Sequence, residues 1–205
     1  MNVAMQFPEF FSAGPTLRMR DPLANFLGAA RDGIFDYAYG DVVKLAGHSC
    51  PTVASAFLLA RAAFKVLYPN DCPERGAIRV EIRGARTEGV NGVIANVLGL
   101  LTGATEDLGF KGIGGHFDRR GLLSFGADIP AQIRLTRLDT MAHVDATAHV
   151  GNVPGSPRTF QLLPSCLDQS ASTDDITEFQ TLWQARVRAM LTDYADDPAI
   201  FEVRH

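Results

Sequence analysis

The sequence predicts an α+β fold: a mixed or antiparallel sheet with helices packed against it. Three observations lead there. Ile78, Val80 and Ile82 alternate with Arg79, Glu81 and Arg83, the period-two pattern of a half-buried strand. Two long segments, one opening at Pro51 and one near Thr173, instead carry apolar residues at helical spacing. Short, turn-bounded apolar segments cluster between residues 122 and 163, and they do not alternate strictly with helices as a βαβα chain would. With 205 residues, the chain has the length of one domain, expected to span residues 1–205.

The opening segment, Met1 to Arg20, mixes Phe, Pro and Gly without a period and reads as an N-terminal arm wrapping the surface. A first helix is expected from Asp21, a favoured N-cap residue followed by proline at the first helical position. Leu23, Phe26, Leu27 and Ala30 then recur at helical spacing. Gly40 and Gly47 bracket Val42-Val43-Lys44-Leu45, read as a short strand. From Pro51, Val53, Phe57, Ala60, Phe64 and Leu67 fall on one stripe, which stops before Pro69-Asn70-Asp71.

After the Ile78–Ile82 strand, residues 91–101 are apolar nearly all round and predict a deeply buried helix, with Gly103 just past its end. A glycine-rich stretch follows, Gly109 to His116. Segments 122–125, 132–138, 144–150 and 159–163 read as strands. The last element is a C-terminal helix over 173–195, capped by Thr173 or Asp174. Its stripe is Ile176, Phe179, Trp183, Val187, Met190 and Tyr194.

Composition excludes several classes. Apolar residues make up 46% and charged residues 20%, which rules out a disordered or fibrous chain. A formal charge of −4 without any Lys/Arg block argues against nucleic acid as a partner. No apolar run reaches the length of a membrane span, and the first residues lack a basic secretory n-region. Three cysteines are too few for a disulfide framework, so free thiols and a cytoplasmic location are expected.

Chemistry concentrates at Gly47-His48-Ser49-Cys50-Pro51-Thr52. A histidine and a cysteine two apart in an extended turn point to the same side and can bind one metal as an N/S pair. Cys50 also precedes a proline-opened helix, where free amides and the positive dipole end would stabilise a thiolate. The bland alternative has His48 capping a turn and Cys50 filling a small buried space. His116 follows a loop rich enough in glycine for close backbone approach to a ligand. Beside it, Arg119 and Arg120 are candidates to hold an anionic substrate or cofactor, or belong to a solvated turn. His143 and His149 read as a sheet face, and Cys72 as an incidental surface thiol.

The order of Gly47-His48-Ser49-Cys50-Pro51, its amphipathic helix, the Arg79–Arg83 strand and Leu100-Leu101-Thr102-Gly103-Ala104-Thr105 resembles the FmdE family, which takes its name from a component of formylmethanofuran dehydrogenase. The likeness covers roughly residues 41–126. It implies an α+β fold, a homodimer, and a metal site built around His48 and Cys50. The chain departs from the family pattern where members tend to carry a cysteine and an acidic residue: Val93-Ile94, Asn96 and Ala104 stand there. Beyond Cys72 only Cys166 remains, so the family's cysteine-rich zinc ribbon has no counterpart.

His116 is then the first candidate to complete the coordination, and Glu88, in the loop before the buried helix, the second. A His/Cys/His set with an acid or water in the fourth place is a zinc site, catalytic if that place is open. The expected function is therefore a zinc-binding, FmdE-like protein that binds or acts on a small molecule. Two alternatives stay open: a haem or other cofactor protein without turnover, and a thiol enzyme using Cys50 as nucleophile with His48 or His116 as base.

Overall fold

The computed structural model describes residues 7–205, so the first six residues of the expected arm lie outside the described residues. The architecture is α+β, with seven helices and two sheets among the described residues. The remainder of the arm holds a short helix α1 (Phe10–Ala13) and a strand β1 (Leu17–Arg20), followed by α2 (Pro22–Phe26). β1 pairs antiparallel with β2 (Ile34–Tyr37), and its alternate residues Leu17 and Met19 point into the core. Asp21 caps α2 as expected, accepting from Leu23 N at 3.0 Å and Ala24 N at 3.3 Å. That helix ends at Phe26, one turn earlier than its apolar spacing suggests.

Two elements differ in type from the sequence expectation. Val42–Leu45 belongs to helix α3 (Tyr39–Ala46), not a strand. The Asp41 carboxylate accepts the Ala38 N–H at 3.1 Å, closing a first helical turn. Tyr39, Val42 and Val43 then bury together at three- and four-residue spacing. Residues 159–163 lie in helix α6 (Pro157–Leu167), opened by Ser156 as N-cap and Pro157 behind it. Both runs are too short for period two and period 3.6 to be told apart, and the caps decide.

Helix α4 (Pro51–Leu67) is the centre of the molecule. Phe57, Leu58, Leu59 and Phe64 are fully or almost fully buried on it. Each such side chain contributes about 2 kcal/mol of burial. It lies against α5 (Asn91–Thr102), α7 (Thr173–Thr192) and one face of the larger sheet. That sheet runs β4 (Leu123–Phe125), β3 (Ile78–Ile82), β5 (Ile133–Arg137), β6 (His143–Ala148), β7 (Phe201–Arg204). Within it, only the β3–β4 pair is parallel.

Ile78, Val80 and Ile82 pair in register with Arg137, Leu135 and Ile133, and the inward residues of β3, β5 and β6 form one apolar face under α4. The other face is polar and carries the cross-strand pair Arg134–Asp145 at 2.8 Å. A sheet covered on one side explains the clean alternation of the β3 sequence. The α7 cap is Ser172, whose hydroxyl accepts from Asp175 N at 3.1 Å, one residue before the expected position. No helix among the described residues is long and apolar enough to cross a membrane.

Candidate functional site

His48, Ser49 and Cys50 form the link between α3 and α4. Gly47 ends α3 in the left-handed region at φ 74°, a conformation that costs glycine nothing and turns the chain sharply. Ser49 is the anchored member of the three. Its hydroxyl donates to Gln184 Oε1 at 2.9 Å and takes the proton of the Tyr39 hydroxyl at 3.0 Å. Burial pushes the Tyr39 phenol up, which keeps it the donor. The Ser49 carbonyl accepts from Trp183 Nε1 at 3.0 Å and Gln184 Nε2 at 3.3 Å. Helix α7 thus clamps the middle residue, and the residues on either side of it line a common cavity.

That cavity has a volume of about 450 Å³. His48, Cys50 and Thr52 line it from the link and the first turn of α4. Thr159 and Phe160 of α6, with Leu182, Trp183 and Arg186 of α7, form its other walls. His48 Nδ1 lies 2.9 Å from the Ala46 carbonyl. A carbonyl only accepts, so Nδ1 carries a hydrogen, and in the neutral ring the lone pair is on Nε2; metal-binding histidines are fixed by the same kind of second bond. Cys50 is the N-cap of α4, its sulfur accepting from Val53 N at 3.5 Å. The sulfur thus sits at the N-terminal, positive end of the α4 dipole.

The other candidates lie elsewhere. His116 is exposed in a tight turn closed by reciprocal backbone bonds with Ile113 (2.9 and 3.0 Å). Glu88 accepts the Ala85 N–H at 3.1 Å and closes its own loop. Neither lines the cavity. Among the described residues no group of three or more His, Cys, Asp or Glu side chains is placed to hold a metal ion. His48 and Cys50 are the two residues of metal-ligating type that line the cavity, and they are the ones that could hold an ion there. The remaining ligands would come from water, a bound molecule or a second copy.

Arg119 and Arg120 are engaged within the chain. Arg119 is buried and donates to Asp21 Oδ1 at 2.7 Å, and Arg75 Nε donates to Asp21 Oδ2 at 2.8 Å. Arg120 forks onto its neighbour Asp118 at 3.0 and 2.7 Å. The Thr102-Gly103-Ala104-Thr105 element has a structural task here. Thr102 Oγ1 donates to Leu98 O at 2.7 Å and accepts from Ala104 N at 3.1 Å. Gly103 (φ 73°) leaves room for the Arg119 guanidinium, and Thr105 Oγ1 donates to the Arg119 carbonyl at 2.8 Å. His149 faces Glu202 at 3.0 Å. Cys72 is half-buried, and burial pushes its thiol up.

Sequence reasoning places Trp183 on a core stripe and passes over Ser49, Ser156, Thr159 and Arg186. The Trp183-x-x-Arg186 spacing does put both on one helical face. Nothing local connects that face with a loop more than 130 residues earlier. No protein-family model matches the chain, and no curated protein is significantly similar to it.

Proposed function

We propose that this chain is a small-molecule-binding protein whose cavity offers His48 Nε2 and Cys50 Sγ to a zinc ion, in the manner of the FmdE-like family that its motifs resemble. The observation that carries this reading is that His48 and Cys50 line one cavity, while the Nδ1 bond from His48 to Ala46 leaves Nε2 without a partner among the described residues. Two residues on one side of a short link chelate a single ion readily. For haem, only one of them could ligate, since axial ligands approach from opposite faces. With two protein ligands, the ion would keep open positions toward the cavity and act there as a Lewis acid on a bound molecule. A homodimer, which the resemblance implies, is the source of further ligands in this reading.

Elemental analysis of gently purified protein tests it, beside His48→Ala and Cys50→Ala. About one zinc per chain in the wild type, lost in both variants, is the expected result. A wild type that carries no metal and takes up neither zinc nor cobalt overturns the reading. The second reading, Cys50 as a nucleophile, is favoured by its N-cap position on the cavity wall. It requires fast iodoacetamide labelling of Cys50 that a chelator does not accelerate. Protection released by chelation supports the metal.

A further inference from the structure

We infer that the cavity of His48 and Cys50 takes a small carboxylic acid, with the carboxylate on Arg186 and an apolar body against Trp183, Leu182 and Phe160. The inference rests on the reading of this cavity as a ligand site. Arg186 follows Trp183 by one helical turn, and both line the cavity. Of the lining residues it alone carries a permanent charge, and no Asp or Glu is among them.

Other arginines of this chain find carboxylates. Arg158 on α6 pairs with Asp175 and Glu178, and Arg61 with Asp196. Arg186 donates instead through Nη2 to the Val150 carbonyl at 2.8 Å, and its buried Nε–H has no acceptor. A guanidinium has five donors; with Nη2 on Val150 and Nε enclosed beside Gly155, Nη1 has no partner among the described residues and is the group open to a carboxylate. Gly155 packs directly on the Arg186 side chain, where a Cβ would stand 3.0 Å from Cδ, so the absence of a side chain there lets the loop hold the arginine against the wall.

The charge balance selects the ligand class. One guanidinium, with no lysine or second arginine on the cavity wall, suits a singly charged group better than a phosphate dianion. Cys50 and Ser156, the N-caps of α4 and α6, both line the cavity, so two helix N-termini add partial positive charge around it. Trp183, Leu182 and Phe160 supply the apolar part of the lining. The volume suits a ligand of small-molecule size.

Trp183 is the only tryptophan in the chain, so its fluorescence reads occupancy directly. The probes are cyclohexanecarboxylate and its neutral analogue cyclohexanecarboxamide, titrated at pH 7 into wild type, Arg186→Gln and His48→Ala, with metal content measured on each. The acid should bind the wild type at least about tenfold more tightly than the amide. That preference should fall to within about twofold in Arg186→Gln and persist in His48→Ala. Equal binding of acid and amide by the wild type, or binding of neither, overturns the inference.

A preference that survives Arg186→Gln and vanishes in His48→Ala places the carboxylate at His48 or its metal; this inference then fails while the metal reading stands. A preference that depends on Arg186 in a metal-free wild type upholds this inference while the metal reading fails. If circular dichroism shows Arg186→Gln unfolded, Arg186→Lys replaces it. That variant keeps the charge, loses the fork, and should weaken the acid about fivefold with the amide unchanged; an unchanged acid affinity overturns the assignment.

Discussion

Replacing Asp21 by asparagine should destabilise the protein by about 3 kcal/mol or more, and the structure says why. The Asp21 carboxylate joins two guanidinium groups, Arg119 Nη2 at 2.7 Å and Arg75 Nε at 2.8 Å. Its side chain is 10% exposed, that of Arg119 7%. Asparagine keeps an oxygen that can accept from Leu23 N and Ala24 N, so the cap of α2 survives the change. What is lost is the charge between two cations, one of which already has a buried Nη1 without a partner. Removing one member of a buried ion pair costs about 3–5 kcal/mol, because the other charge stays buried and uncompensated. In a chain of this length that lowers the melting temperature by roughly 6–20 °C. Urea unfolding at pH 7 gives the free energy directly. Asp21→Ala should lose about 1 kcal/mol more by removing the cap as well, and Asp21→Asn/Arg119→Met should recover part of the loss. An Asp21→Asn protein within about 1 kcal/mol of wild type would refute the argument.

Three further outcomes follow from the same geometry. Burial pushes the Asp21 carboxyl up, but the hydrogen bond from Arg75 and the charges of Arg119 and Arg75 together hold it below the usual carboxylate range. Its contribution is therefore complete above the unfolded value of about 3.9 and lost as pH falls through the lower folded value. The stability gap between wild type and Asp21→Asn should narrow below about pH 4; a constant gap from pH 7 to pH 3 in urea titrations contradicts this. Gly76→Ala should cost about 2 kcal/mol or more, since its φ of 82° strains any side chain and a Cβ would collide with the Arg119 guanidinium. An Arg119→Ala background should relieve the collision part, leaving about 1 kcal/mol in thermal melts. Trp183→Phe removes the indole bond to Ser49 and should cost about 1 kcal/mol. It should also alter Cys50 alkylation, measured by mass spectrometry; an unchanged rate would mean that the α7 clamp does not position the loop.

How far the sequence reaches depends on the range of the interaction involved. Helices α4, α5 and α7 and strand β3 are legible because each is long or regular enough for its period to show. The caps at Asp21 and Gly103 are legible because a cap is local chemistry. Val42–Leu45 reads wrongly as a strand because four apolar residues fit either period, and the Asp41 turn that decides it is a side-chain bond. Strands β2 and β7 have four residues each, and sheet pairing alone makes them strands. The His48–Cys50 pair stands out for the same reason as the caps, its geometry being set within a few residues.

The rest of the cavity is made across the chain. Trp183 and Gln184 reach Ser49 from more than 130 residues away, and Arg186 comes with them on the same helix. Arg119 looks free to bind an anion until Asp21, 98 residues earlier, meets it. The sequence by itself determined helices α4, α5 and α7, the alternating strand, the caps at Asp21 and Gly103 and the His-x-Cys link, because backbone propensity and periodicity act over one or two turns. Which side chains share a wall, and which charges are already paired, was decided only by tertiary packing, because burial brings together residues that no local rule connects.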